Sequence, residues 1–297
     1  MIRVRVPASS ANLGPGFDCL GLALARYDEV EVEPAESGLT VEVSGEGAGT
    51  VPLTEAHLVV RAFRAAGERL AGTPPGVVFR CTNAIPQARG LGSSAAAIVA
   101  GIAAAYGLAG RPLDDDALHL AADFEGHADN AAASLLGGLV LAWQAGPRYQ
   151  AIRLDPHPDL RPIALIPAGH SATKVTRGLL PEHVPHADAA FTAARCALTV
   201  QALTTRPDLL LAATEDRLHQ GYREGAWPAT MRLVRALRDG GVAAVVSGAG
   251  PTVLALTLDG KLPEVDLSGF EVGELAVDRR GVQLDRSATP GRPEGIP

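Results

Sequence analysis

Residues 85–101 read Ile-Pro-Gln-Ala-Arg-Gly-Leu-Gly-Ser-Ser-Ala-Ala-Ala-Ile-Val-Ala-Gly. Pro86 breaks the strand ahead of it, and Gly90 and Gly92 permit a tight backbone with positive φ. Ser93 and Ser94 stand where a helix should start. Good helix formers follow, with Ile98, Ile102 and Tyr106 on one face. A Gly-rich turn opening into a helix offers unpaired N–H groups and the positive end of the helix dipole to an anionic oxygen, above all phosphate. The same turn also serves elsewhere merely as a cap, so the residues alone leave both readings open. No Gly-Lys-Ser/Thr follows, so this is not a Walker loop. Residues 90–110 carry no charge, but they are mostly Ala and Gly and begin in a loop. They predict a helix buried on most sides in a soluble domain rather than a membrane span.

The whole chain has room for such a core. It has 297 residues, 47% hydrophobic and 20% charged, enough for one large domain or two. A formal charge of −7 argues against a general nucleic-acid or anionic-membrane binder. Cys19, Cys81 and Cys196 have no metal-binding spacing and leave an odd thiol, which points to a reducing compartment. No charged-then-apolar signal segment is seen at the amino end, and the expectation is a cytoplasmic protein. Lysine occurs only at Lys174 and Lys261, which fits a GC-rich genome or heat adaptation equally.

Patterning predicts strands over 2–6, 20–33, 39–43 and 77–82, with Pro7 ending the first and a loop over 8–18. Helical spacing is read at 57–70, after residue 93, at 113–124 and at 131–136. Strands are expected at 138–143 and near 151–154, and a domain boundary near Pro156. The second half predicts strands at 162–167, 242–247 and 252–258 around a tight turn, Gly248–Pro251. Its helices are expected at 187–203, 207–219 and 229–239. Two short strands near 271–284 would complete a sheet, and 286–297 read as a disordered tail. Strands and helices occur in both halves without strict alternation, which gives an α+β class.

Several residues could carry chemistry. Phosphoryl transfer needs a divalent cation on hard oxygen ligands, which Ser94 and Glu125 could supply; from spacing alone Glu125 reads first as a surface residue at a helix end. His127-Ala-Asp-Asn130 reads by default as a hydrogen-bonding turn. In the loop 8–18, Asp18 suits an ammonium and Asn12 can donate and accept. Arg177 and Arg223 suit a carboxylate, although any single Arg is more often solvated.

Six stretches together resemble one family. Pro86–Ala95 matches the Pro-x-x-x-Gly-Leu-Gly-Ser-Ser-Ala signature of the GHMP kinases in full. The stretches Pro7–Ala23, Glu125–Gly138, Thr173–Pro181 and Asp216–Arg223 resemble the homoserine kinase branch. Ser247-Gly-Ala-Gly-Pro-Thr252 matches the third GHMP motif, although a plain hairpin turn would use the same residues.

The resemblance implies a two-domain fold. A ribosomal-protein-S5-like amino-terminal domain (1–155) would face a ferredoxin-like carboxy-terminal domain (156–285) across the active-site cleft. It implies ATP bound by Pro86, Arg89, Gly90, Leu91, Gly92, Ser93, Ser94, Ala95 and Ala96, and Mg²⁺ held by Ser94 and Glu125. Asn12, Asp18, Arg177, Arg223 and Gly250 would bind L-homoserine. His127 and Asn130 would lie near its hydroxyl, and Thr173 near the phosphates or acceptor. Several other GHMP kinases place an Asp base where Asn130 stands; Asn cannot take a proton, so positioning and Mg²⁺ would carry catalysis, with His127 a weak proton acceptor.

The implied reaction is ATP-dependent phosphorylation of homoserine to O-phospho-L-homoserine in threonine biosynthesis. A homodimer is also in keeping with the family. Residues 54–60 and Thr82-Asn83 are guesses for the adenine and ribose. One departure is Thr192 after Phe191, where the family commonly has Asn. Two alternatives stand beside this: another GHMP small-molecule kinase, which would lack the Asn12–Asp18 and double-Arg set, and a non-catalytic sensor, which would tolerate loss of Ser94 or Glu125.

Overall fold

In the first strand, β1 (Ile2–Asn12), the inward residues Ile2, Val4 and Val6 are buried while Arg3 and Arg5 face outward, the period-2 pattern of a half-buried strand. The computed structural model describes residues 1–70, 72–169 and 177–286. β1 pairs antiparallel with β2 (Gly16–Ala35), a strand of 20 residues. Pro7 does not end β1. The register shifts between Pro7 and Ala8, and this irregularity accommodates the missing donor. The strand then runs through most of the expected loop, so that only residues 13–15 form the turn.

The length of β2 lets it serve two neighbours. Residues 29–35 pair with β4 (Gly76–Asn83), and residues 20–22 pair with β5 (Leu139–Ala145). β3 (Gly38–Gly45) runs parallel to β4, and β6 (Arg148–Leu154) closes a hairpin with β5. Helices α1 (Leu58–Arg69), α2 (Ser93–Leu108), α3 (Asp115–Glu125) and α4 (Asp129–Leu136) pack into the same core. α2 is the charge-free segment, and it is buried on nearly every side. Gly101 lets α1 come close: a Cβ there would lie 2.2 Å from the Val59 carbonyl oxygen. Phe63 of α1 meets Phe79 of β4 edge-on, with ring centroids 5.2 Å apart.

The chain then enters a second sheet of β7 (Arg161–Pro167), β8 (Ala243–Val246), β9 (Val253–Thr257) and β10 (Phe270–Glu274), in the order β10-β7-β9-β8. Between β7 and β8 come α5 (His186–Thr204), the single turn α6 (Leu210–Ala213) and α7 (Pro228–Asp239). Ala164, Ile166, Leu254 and Leu256 face the main core, while Ile163, Leu165, Val253 and Ala255 face α7. Burial on both faces explains why these strands read as unbroken apolar runs.

Two expectations are corrected. The helix read at 207–219 is a 3-10 turn at Pro207–Leu209 followed by α6, and it ends at Thr214. Asp216 takes the backbone N–H groups of Leu218, His219 and Gln220 on its carboxylate, which offers the chain an alternative to the helix. The two late strands also part company: β10 joins the second sheet, whereas β11 (Gln283–Asp285) pairs with β1 in the first. The tail from residue 287 lies outside the described residues. Among the described residues no helix is long and apolar enough to cross a membrane.

Gly101→Val should force α1 off α2. We expect a loss of about 3 kcal/mol or more in urea unfolding, the upper range for overpacking a close contact.

Candidate active site

Three loops meet at the amino end of α2. Gly90 and Gly92 take φ of 80° and 70°. A Cβ on Gly92 would fall 2.1 Å from the Ser9 Oγ, and one on Gly90 would fall 2.3 Å from the Ser247 carbonyl oxygen. Only glycine fits either place. The Ser247 hydroxyl donates to the Gly90 carbonyl (2.5 Å), which leaves the Ser10 hydroxyl, 2.8 Å away, to donate to Ser247. The Gly248 N–H donates to the Ala11 carbonyl (3.1 Å), and Asn12 Nδ2 to the Gly248 carbonyl (2.9 Å). The first bond of α2 runs from the Ala96 N–H to Gly92, and among the described residues no side chain caps the helix. The N–H groups of residues 93–95 therefore precede the ladder and form a donor set suited to an anion.

Beside them opens a cleft of about 440 Å³. Gly90, Gly92, Ser93 and Ser94 line it. Glu125 is the last residue of α3, where Gly126 turns the chain with φ 79°. Its Oε1 accepts from the Ser94 hydroxyl. Burial pushes the Glu125 carboxyl above its ordinary range, against that hydrogen bond and the charge of His127. His127 Nδ1 lies 3.0 Å from Asp129 Oδ1. Burial would push the imidazole down, but the hydrogen bond and charge of Asp129, with Glu125 and Asp18, outweigh it and leave His127 raised. Asn130 Oδ1 accepts from Ser9 Oγ (3.0 Å), which ties this wall to the amino-terminal loop.

At another part of the cleft Arg177 grips Asp18 in a two-pronged pair, Nη1–Oδ2 2.9 Å and Nη2–Oδ1 2.6 Å. Asn12 positions this carboxylate, since its Oδ1 accepts the Asp18 N–H at 3.0 Å. Arg223 lies deeper, 2% exposed, and still lines the cleft. His219 Nε2 donates to the Gly14 carbonyl (2.7 Å), so its Nδ1 is left to accept from Arg223 Nη1 (3.0 Å). That makes His219 a neutral ring, in keeping with burial, which lowers its pKa. Both guanidiniums lie near the Phe17 ring, at 5.2 and 5.6 Å.

Several expected contacts are not on the cleft wall. Pro86, Leu91, Ala95 and Ala96 are buried behind it. Arg89 turns away and donates to the Ala168 carbonyl (3.0 Å). Gly248 and Ala249 reach the cleft, whereas Gly250 packs against Trp227. Thr173 lies outside the described residues. The Thr192 hydroxyl is buried without a partner among the described residues. Of the residues guessed for the nucleotide base, 56–59 and Asn83 line the cleft and Thr82 does not.

Two wall residues were missed by sequence reasoning, Asp129 and Asp28. Asp129, 1% exposed, was passed over in favour of its neighbour Asn130. Asp28 lines the apolar lobe formed with Val30, Val51 and Ala97, beside His57 of the guessed segment 54–60. A polar residue inside an otherwise apolar alternation, as Asp28 is in β2, was the available signal.

The fold and a phosphate loop facing a carboxylate define a GHMP kinase, and residues 57–138 match the family model of the GHMP kinase N-terminal domain. The homoserine kinase of Rhodococcus erythropolis is 55% identical over 272 residues, 87% of this chain and 86% of that protein. The homoserine kinase of Streptomyces avermitilis is 51% identical over 290 residues, 95% of each chain. The crystal structure of homoserine kinase from Cytophaga hutchinsonii superposes with a TM-score of 0.84 at 26% identity, covering 96% of this chain and 97% of that one. The chain belongs to the homoserine kinase family.

Asp28 gives a pH test. Burial lifts its carboxyl from an ordinary 3.8 to about 6, although the Ile85 and Ala84 N–H groups pull it down. A carboxyl raised on folding favours the fold in its protonated form. Its contribution is full below about pH 4 and is lost as pH rises through about 6. Asp28→Asn should therefore match the parent in urea unfolding near pH 4 and exceed it above pH 7, by up to about 3 kcal/mol.

Proposed function

We propose that this protein transfers the γ-phosphoryl group of ATP to the side-chain hydroxyl of L-homoserine, giving O-phospho-L-homoserine for threonine biosynthesis. The observation that carries this reading is the Asp18–Arg177 pair, set in the same cleft as the uncapped amino end of α2. The pair is a matched receptor for a zwitterion. An amino acid entering there would divide it, with its ammonium on Asp18 and its carboxylate on Arg177, and with Arg223 beneath. A mevalonate- or sugar-type acceptor has no ammonium to answer Asp18.

The triphosphate lies along the N–H groups of residues 93–95, and its base enters the apolar lobe by His57 and Asp28. Ser94 and Glu125 are hard oxygen donors already in contact at that point, which fits Mg²⁺. Bound there, the ion would neutralise charge on the phosphates. His127, biased toward its protonated form, adds positive charge to the same wall. Asp129 can take the hydroxyl proton, which Asn130 cannot. The loose transition state asks more of positioning than of a strong base. Three free thiols are in keeping with a reducing cytoplasm.

The test is ADP release from ATP and Mg²⁺ with L-homoserine, L-threonine, L-serine, mevalonate and galactose offered separately. Turnover with homoserine alone is expected; turnover with mevalonate or galactose instead would refute the acceptor assignment. Arg177→Ala should raise the homoserine KM roughly 10- to 100-fold, the worth of a charge-assisted hydrogen bond. An unchanged KM removes Arg177 from the site. Glu125→Gln, or chelation of the metal, should lower kcat by on the order of 10²-fold with the homoserine KM little changed.

A further inference from the structure

The His219 side chain is fully buried, and each of its ring nitrogens holds a different part of the chain. Nε2–H donates to the Gly14 carbonyl at 2.7 Å, and Nδ1 accepts from Arg223 Nη1 at 3.0 Å. The first bond reaches the turn that lies between Asn12 and Asp18. The second reaches an arginine that lines the cleft. One imidazole therefore joins the two sides of the proposed amino-acid receptor.

The local sequence brings the ring there. The Asp216 carboxylate gathers the N–H groups of Leu218, His219 and Gln220, and a 3-10 turn over Gly221–Arg223 follows, so that residues 219 and 223 meet. Gln220 fastens this turn to the second sheet, its Oε1 accepting the Val246 N–H at 2.6 Å. Opposite, Gly14 takes a φ of 85° and presses on Thr214; a Cβ there would fall 2.6 Å from the Thr214 carbonyl oxygen. The Phe17 ring lies against the imidazole, with centroids 5.2 Å apart.

Arg223 needs such a hold because a like charge stands near it. The Arg177 and Arg223 guanidiniums share the Phe17 ring, and after burial it is the charge of Arg177 that most depresses the Arg223 pKa. Their repulsion drives the two apart. The Gly248 carbonyl accepts from the same Nη1 only at 3.4 Å, so the bond to His219 is the closer of the two. A neutral ring fixes the direction of Nη1 without setting a negative charge against the guanidinium, and so it does not compete with a carboxylate ligand.

We propose that His219 is a positioning residue for the acceptor: its Nδ1 lone pair holds Arg223 toward the carboxylate of the incoming amino acid, and its Nε2–H keeps that arginine in register with the loop that ends at Asp18. The role rests on the homoserine kinase reading of the cleft. It makes the lone pair at Nδ1, rather than the bulk of the ring, the feature that sets acceptor affinity.

Two substitutions separate the ring's two bonds. Asparagine places its Oδ1 where Nδ1 stands and has nothing at the Nε2 position; glutamine reaches the Nε2 position and leaves Nδ1 empty. The experiment uses the full chain, with urea unfolding to show that each variant folds, and reads kcat and the KM for homoserine and for ATP. His219→Gln should raise the homoserine KM roughly tenfold, the worth of one hydrogen bond to a charged group, with kcat within about twofold and the ATP KM steady. His219→Asn should raise it less than about threefold, although it gives up the bond to Gly14. The reverse order assigns His219 to the loop alone and overturns the proposal, as do equal rises in both variants or none in either. Should His219→Gln fail to fold, His219→Asn decides by itself: a tenfold rise refutes the role. A parent that phosphorylates homoserine while the variants behave otherwise sinks the role of His219 only. A parent that does not phosphorylate homoserine sinks the reading of the cleft, and this role with it.

Discussion

The Ser247 hydroxyl, donating to the Gly90 carbonyl with Ser10 behind it, is the contact on which the cleft depends. It brings the first motif, the phosphate loop and the third motif within hydrogen-bond distance of one another, although they are far apart in sequence. Each of these loops is too short to hold its shape alone. Their backbone groups are buried, and a buried N–H or C=O without a partner is costly, so the loops complete one another's bonding. Ser9 to Leu91, Gly248 to Ala11 and Thr252 to Arg89 are main-chain bonds of this kind. The glycines follow from the same requirement, because any Cβ at Gly90 or Gly92 would separate the loops.

Around that centre the charges are arranged in two zones. The zone at the amino end of α2, proposed for phosphate, offers N–H dipoles and a carboxylate whose burial disfavours its ionised form. Such a carboxylate gains by meeting a cation. In the proposed amino-acid zone Asp18 and Arg177 satisfy each other, with the buried Arg223 as a further cation beneath them. A zwitterion entering it exchanges one ion pair for two of similar quality, so little net charge has to be buried. This allows selectivity without a large desolvation cost.

The class was legible because it rests on local chemistry, and so were several residues that the fold brings to one cleft. Gly90-x-Gly92-Ser-Ser94 can hardly be anything but a tight turn entering a helix, and the charge-free segment after it had to be buried. Arg177 and Asp18 were legible as residue types suited to an amino acid, but their contact with each other was not, since they lie 159 positions apart in the sequence. Pro7 misled because a proline that usually stops a strand sits here at a register shift. The segment 207–219 misled because Asp216 is a better cap than a helix interior residue, a fact visible only with its three amide partners. Asp129 was obscured by a pattern that directed attention one residue too far.

β11 adds a strand from the far end of the chain to β1, the first strand of the same sheet. A ribosome delivers β1 long before β11, so the seam between them closes only after the residues that separate them have been made. The pairing has high sequence separation and a correspondingly slow closure. Until then the outer side of β1 is an open strand edge, and Arg3 and Arg5 on its outward face supply charge that discourages neighbouring chains from adding to it. Quality control in this fold is thus written into the order of synthesis: an interrupted chain can build its phosphate loop and still carry an unsealed sheet.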